Sequence, residues 1–211
     1  NPKVLSRVEA TNLIIKDLEF AETTLAIGNA GKANKSAAQA LLAKVYLNRA
    51  VYTGTTLGGP YTFAKADMDK AIESANKVIS TAGKSLTATY FNNFTPENST
   101  QSRELLFVIP SFPGLTDKIG LRSGFLIGQQ FGPNGVALKD RSGSPLAFTE
   151  NANLLFAAEK DGIRVIKYIP KPNATNNGII EQAGNDYIFL RFADVILMKA
   201  EAILRGGSDP M

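Results

Sequence analysis

Four carboxylates, Asp140, Glu150, Glu159 and Asp161, stand in a stretch otherwise rich in Gly, Asn, Pro and Ser. Two carboxylates at a suitable separation can cleave a glycoside, one working as acid and the other as base or nucleophile. Acidic residues are also ordinary in loops, and spacing along a chain does not set a separation in space. A second group carries binding chemistry instead. Within residues 111–135, SFPGLTDKIGLRSGFLIGQQFGPNG, Phe112, Phe125 and Phe131 offer flat apolar faces, while Arg122, Gln129, Gln130 and Asn134 offer donors and acceptors. Loops placed by a rigid scaffold commonly carry such sites. These seven residues are the candidate ligand-binding set; the bland alternative is that the Phe side chains plug the loops onto the scaffold. A shorter stretch, ATYFNNFTPEN at 88–98, repeats the mixture with Tyr90, Asn92, Asn93 and Phe94.

What the chain lacks narrows the chemistry further. Its 211 residues include no Cys, His or Trp. That removes thiol nucleophiles, His-based triads and zinc sites built from Cys or His. Without disulfides, the chain suits a reducing compartment or a fold large enough to need no staples. DMD at 67–69 and GGSDP at 206–210 are too sparse for calcium loops, and no phosphate-loop spacing occurs. No catalytic residue, metal or cofactor is expected. The net charge of +4 comes from basic residues spread singly, which reads as a solvated surface and not as a nucleic-acid interface. Residues 187–204 are apolar but interrupted by charges, so they are not expected to span a membrane. No positively charged leader with an apolar run opens the chain, so a signal peptide is expected to be absent or already removed.

The elements that must position those loops are mostly helical. Ile14, Leu18, Ala21 and Leu25 predict one face of a helix over 12–25, with Glu19 and Glu22 off the stripe. Five alanines predict a second helix over 36–52 that lets a neighbouring backbone approach closely. Met68, Ala71, Ile72, Ala75, Val78 and Ile79 predict an amphipathic helix over 64–80. From 83 to 185 the texture turns irregular, with strands predicted at 104–110 and 162–170. Residues 185–207, NDYIFLRFADVILMKAEAILRGG, then read as a last helix. On a helical wheel Arg191, Asp194, Glu201 and Arg205 form one narrow stripe, with Lys199 apart. Arg191–Asp194 and Glu201–Arg205 are the expected pairs, and other helices are expected to cover most of the remaining surface. A helix so apolar needs mates, which points to a longer parent chain.

LIIKDLEFAETTL, KSAAQALLAKVYLNRA and AIESANKVIS, in that order, resemble the helical core of the SusD/RagB family of nutrient-binding lipoproteins of the Bacteroidota outer membrane. SRELLFVIP and GIRVIKY are similar to the family's short strands. The last segment is similar to its signature helix, through Arg191, Ala193, Asp194, Ala200, Glu201 and Ala202. The resemblance implies a mainly α fold over residues 1–211, incomplete at both ends. Tetratricopeptide-like helical hairpins would occupy 1–82, a large irregular loop-rich layer with a few short strands 83–185, and the signature helix 186–205. It implies a binding protein and not an enzyme, lipid-anchored outside this segment at the cell surface. Its implied partners are a SusC-like TonB-dependent transporter and an oligosaccharide, or a peptide in some branches, with no nucleic acid. Sugar capture would use the 111–135 residues above, although the absence of Trp departs from a starch-type platform. The alternative from another class is a helical-repeat protein–protein adaptor with peptide bound on concave helix faces. A carboxylate hydrolase is the third.

Overall fold

Ser6 and Glu9 start the first helix, α1 (Arg7–Thr24), with a reciprocal capping box: Glu9 N–H donates to Ser6 Oγ at 3.2 Å and Ser6 N–H to Glu9 Oε2 at 2.8 Å. The computed structural model describes residues 4–56, 58–95, 98–110 and 185–210. Among these, the chain continues through α2 (Lys35–Leu47), α3 (Arg49–Thr53), α4 (Lys65–Ile79), a 3-10 turn (Tyr90–Phe94) and α5 (Asn98–Gln101). Two strands, β1 (Leu105–Ile109) and β2 (Tyr187–Arg191), pair in a two-stranded sheet, and α6 (Phe192–Leu204) follows directly. The fold is mainly α, as expected. The strand expected at 162–170 lies outside the described residues.

The chain divides into two compact units. One comprises residues 1–86, 103–108 and 188–211; the other comprises 87–102 and 109–187. In the first, α1 packs on α2, α2 on α4, and α4 on α6. The alanines make this possible. Ala37, Ala40 and Ala43 of α2 meet Ala75 and Val78 of α4 in one cluster with Leu106, Leu190, Phe192 and Val195. Leu42, Tyr46 and Leu47 meet Met68, Ala71 and Ile72 in a second cluster, joined by Ile15 and Ala202. Small side chains at the contacts bring the helix axes close, and the larger ones beside them fill the space. Asn34 fixes α2 to the sheet: its Oδ1 accepts from Ala37 N–H at 3.0 Å and its Nδ2 donates to Leu106 O at 3.0 Å.

Three local expectations change. The single helix expected over 36–52 breaks at Asn48, whose Nδ2 donates back to Lys44 O at 3.0 Å. Beyond the break, the Arg7 guanidinium takes the carbonyls of Val51 and Gly54 at 2.7 and 2.8 Å. In α1 the buried residues are Thr11 and Ile15; of the expected stripe Leu18, Ala21 and Leu25 are half-buried, with Leu18 on the core, and only Ile14 is exposed, so the inward face is shifted toward Thr11 and Ile15. Polar groups explain the shift. Thr11 satisfies its hydroxyl on Arg7 O, and Glu22 accepts from Gln39 Nε2 at 3.1 Å and pairs with Lys77 at 2.9 Å. The face therefore carries hydrogen-bonded partners that a count of apolar residues overlooks.

The signature segment changes most. Residues 187–191 are extended and pair with β1, and the helix begins only at Phe192. Arg191 is the residue preceding the first helical turn. Its Nη1 bonds Glu104 Oε2 at 3.1 Å, replacing the expected Asp194 pairing. Glu201 and Arg205 do pair. Among the described residues, α6 is covered on one side, as expected for a helix whose mates lie in a longer chain. Phe192, Val195 and Ala202 are buried, whereas Leu197 is 66% and Leu204 88% exposed. After α6, Gly206 adopts φ +96°, a left-handed stop that glycine reaches without strain. Gly207 then lies so close to α4 that a Cβ there would meet Ile72 Cδ1 at 2.6 Å. The tail is tied by Ser208 N–H to Asp69 Oδ1 at 2.8 Å and by Asp209 to Lys199 at 2.7 Å. Lys65 first, then that Ser208 amide, holds the Asp69 carboxyl below its usual range.

Candidate functional site

Phe112, Arg122, Phe125, Gln129, Gln130, Phe131 and Asn134, like the carboxylates Asp140, Glu150, Glu159 and Asp161, lie outside the described residues. The second sequence candidate, 88–98, is described except for residues 96–97. Its geometry separates residues that the sequence groups together. Asn93 and Phe94 are 0% and 2% exposed, whereas Tyr90 and Phe91 keep 49% and 46% of their surface in water. Asn92 is exposed as well.

The buried half is built from amides. Asn93 Nδ2 donates to Tyr90 O at 3.0 Å and to Thr87 Oγ1 at 3.2 Å, and its Oδ1 accepts from Ser102 Oγ. Asn98 Nδ2 donates to Asn93 O at 2.7 Å and to Asp186 O at 3.1 Å, while its Oδ1 accepts from Asp186 N–H at 2.9 Å. Asn185 Nδ2 reaches Phe94 O at 2.7 Å. An irregular turn has no ladder to satisfy its carbonyls, so buried side-chain amides take that place. Three asparagines, Asn93, Asn98 and Asn185, thus hold a short 3-10 turn in one conformation.

The exposed half is aromatic. Tyr90 and Phe91 rings meet edge-to-face, with centroids 5.4 Å apart and planes at 79°. Tyr90 also meets buried Phe94, centroid to centroid 5.1 Å. The anchored ring therefore orients the presented one. Phe91 was not among the residues singled out from sequence. A usable signal was there: consecutive residues on a tight turn point apart, so Tyr90, Phe91 and Phe94 cannot all be buried on one side.

Among the described residues no group of three acidic side chains is arranged to hold a metal ion, and no helix is long and apolar enough to cross a membrane. Glu104 and Lys84 serve the scaffold. Glu104, almost wholly buried, receives Arg191, while its backbone carbonyl accepts from Phe192 N–H at 2.8 Å and so receives the start of α6. Lys84 donates to Leu105 O at 2.7 Å, and burial pushes its ammonium pKa down.

With this architecture in view, the relation to known proteins rests on the backbone. No protein-family model and no curated protein matches the chain. Solved structures do. A SusD superfamily protein from Parabacteroides distasonis superposes with a TM-score of 0.59 at 21% identity, over 93% of this chain and 45% of that one. A SusD-like carbohydrate-binding protein from Bacteroides fragilis gives 0.59 at 15% identity, over 95% and 47%. The chain has a SusD-like fold. A third structure, solved with a xylogluco-oligosaccharide, gives 0.58 at 23% identity, over 92% and 44%. The chain thus spans less than half the length of the SusD-like structures it matches.

Proposed function

We propose that this protein captures oligosaccharides and passes them to a SusC-like TonB-dependent transporter at the outer-membrane surface, lipid-anchored through a part of the protein outside this segment. It acts as a binding protein and not an enzyme. One observation carries the reading: the fold is shared with a SusD-like carbohydrate-binding protein and with a structure solved with a xylogluco-oligosaccharide. Residue chemistry supports it, since Phe112, Phe125 and Phe131 with Arg122, Gln129, Gln130 and Asn134 offer stacking faces and hydroxyl partners in one loop segment.

The test is calorimetry on the full-length protein with xylogluco-oligosaccharides, malto-oligosaccharides and short peptides. Saturable oligosaccharide binding lost in Phe125→Ala or Phe131→Ala is the expected result. Peptide binding with no sugar response would transfer the protein to a peptide-capturing or adaptor role. Cleavage of a sugar abolished by an Asp140→Asn or Glu159→Gln change would make it a hydrolase. Transporter hand-off is tested by co-purification with the TonB-dependent partner from outer membranes.

A further inference from the structure

Asn98 treats Asp186 as a neighbouring strand would. Its Oδ1 accepts from Asp186 N–H at 2.9 Å and its Nδ2 donates to Asp186 O at 3.1 Å, so one side chain satisfies both backbone groups of that residue. One position earlier, Asn185 Nδ2 donates to Phe94 O at 2.7 Å. Asn98 is itself held, since its backbone carbonyl accepts from Ser102 N–H at 2.8 Å. Both asparagines are wholly buried, and β2 begins directly after these ties, at Tyr187. Apolar contact would hold residues 185–186 without fixing their register. A buried amide that grips both N–H and C=O admits one position only.

The position fixed in this way lies at one end of the stretch that carries the candidate binding residues, which runs between β1 and β2. Phe192 N–H on Glu104 O at 2.8 Å and the Phe107–Phe189 ring contact at 6.1 Å set the two strands antiparallel, so Ile109 and Tyr187 end side by side. The outgoing strand is held by Ala30 O on Val108 N–H at 2.9 Å and by Asn34 on Leu106 O at 3.0 Å. The returning chain is held by the two asparagine amides. We infer that Asn98, with Asn185, is a positioning residue for ligand capture: it fixes the point at which the loop stretch rejoins the framework, and so the placement of the side chains carried on it. This rests on the sugar-binding reading above and adds the means by which that site is held ready. A loop with both ends fixed has less freedom to lose when a ligand binds. Releasing one end leaves the ligand contacts available but makes binding order the loop first, so the loss falls on the binding entropy and not on the enthalpy.

The experiment is calorimetry on full-length wild-type protein and the variants Asn98→Ala, Asn185→Ala and Ile72→Val, with xylogluco-oligosaccharide and malto-oligosaccharide probes. Ile72→Val removes one methyl group from the helix stack and serves as the control for lost stability elsewhere. Asn98→Ala is expected to weaken binding about tenfold and Asn185→Ala about threefold, each through a less favourable entropy with the enthalpy near wild type. Ile72→Val should bind like wild type. Amide protection of α4 identifies any variant that fails to fold. If Asn98→Ala does so, Asn185→Ala decides alone: weakened binding supports the inference and unchanged binding overturns it. Wild-type affinity in a folded Asn98→Ala, or an equal loss in Ile72→Val, overturns the positioning role and leaves the sugar-binding reading standing. No sugar binding by the wild type overturns both.

Discussion

The helix stack and the 87–102 turn are held by opposite means. In the stack, Ala40, Ala43, Ala75 and Val78 are wholly buried and make contact through shape alone. In the turn, Asn93 and Asn98 are just as buried and act through oriented amides. The difference follows from the backbone. A helix satisfies its own carbonyls and can be packed with apolar atoms, whereas a short irregular turn must find a partner for each buried carbonyl. Shape packing tolerates no change of volume; an amide network tolerates no loss of a donor. Only the second arrangement frees neighbouring side chains to face water from a fixed base.

Substitutions that separate volume from hydrogen bonding test the contrast, and the largest effect belongs to the stack. Ile72→Ala, at the centre of the α2–α4 contact, is expected to cost about 2–5 kcal/mol in chemical denaturation of the full-length protein. A cost under about 1 kcal/mol would show that the stack collapses around the cavity and is not packed as described. Next comes Arg191→Ala, which leaves the Glu104 carboxylate without its guanidinium and is expected to cost about 3 kcal/mol. Arg191→Lys should recover only part of this, because one ammonium replaces a planar fork.

Asn98→Ala sharpens the comparison from the other side. It removes the donor to Asn93 O and Asp186 O and the acceptor for Asp186 N–H, for about 1–3 kcal/mol. Its signature is local: amide exchange should accelerate over residues 90–94 while the amides of α4 stay protected. Equal loss of protection in both places would refute the separation of the two kinds of support. A smaller effect concerns Tyr46, whose hydroxyl donates to Glu19 Oε1 at 2.9 Å within the stack. Burial, and then that bond, pushes its pKa up to about 12 from an ordinary 10.0. The unfolded chain therefore loses this proton first, so the stabilisation is complete below pH 10 and declines as pH rises through about 12. Tyr46→Phe should lack this part of the alkaline loss when the two denaturation profiles are subtracted. The smallest change is Glu201→Ala, expected near 0.2–0.5 kcal/mol. Arg205 stays placed by Leu47 O at 2.7 Å and by the Phe63 ring 3.9 Å from its guanidinium carbon.

Legibility in the sequence followed the range of the deciding contact. The α4 helix, with its apolar residues at helical spacing, was readable almost to the residue: expected over 64–80, it runs Lys65–Ile79. In α1 the helix was readable but its face only in part: Leu18, Ala21 and Leu25 turn inward, while Thr11 and Glu22 are satisfied by partners that the residue types alone do not reveal. The segment before Phe192 misled for the same reason. YIFLR is compatible with a helix or a strand, and only the edge of β1 makes it extended. Of the candidate site, the 88–98 mixture was visible as aromatics and amides, but its division into anchor and presented rings was not.

By itself, the sequence determined that helices form where apolar and small residues recur at helical spacing and that this chain carries no thiol or imidazole. These are properties of residue type and of intervals of a few positions. Tertiary structure decided where strand gives way to helix at Phe192, which carboxylate receives Arg191 and which aromatics of 90–94 face water. Each of those depends on a partner far along the chain, Glu104 for Arg191 and Asp186 for Asn98. Such pairings are set by folding geometry and not by local preference.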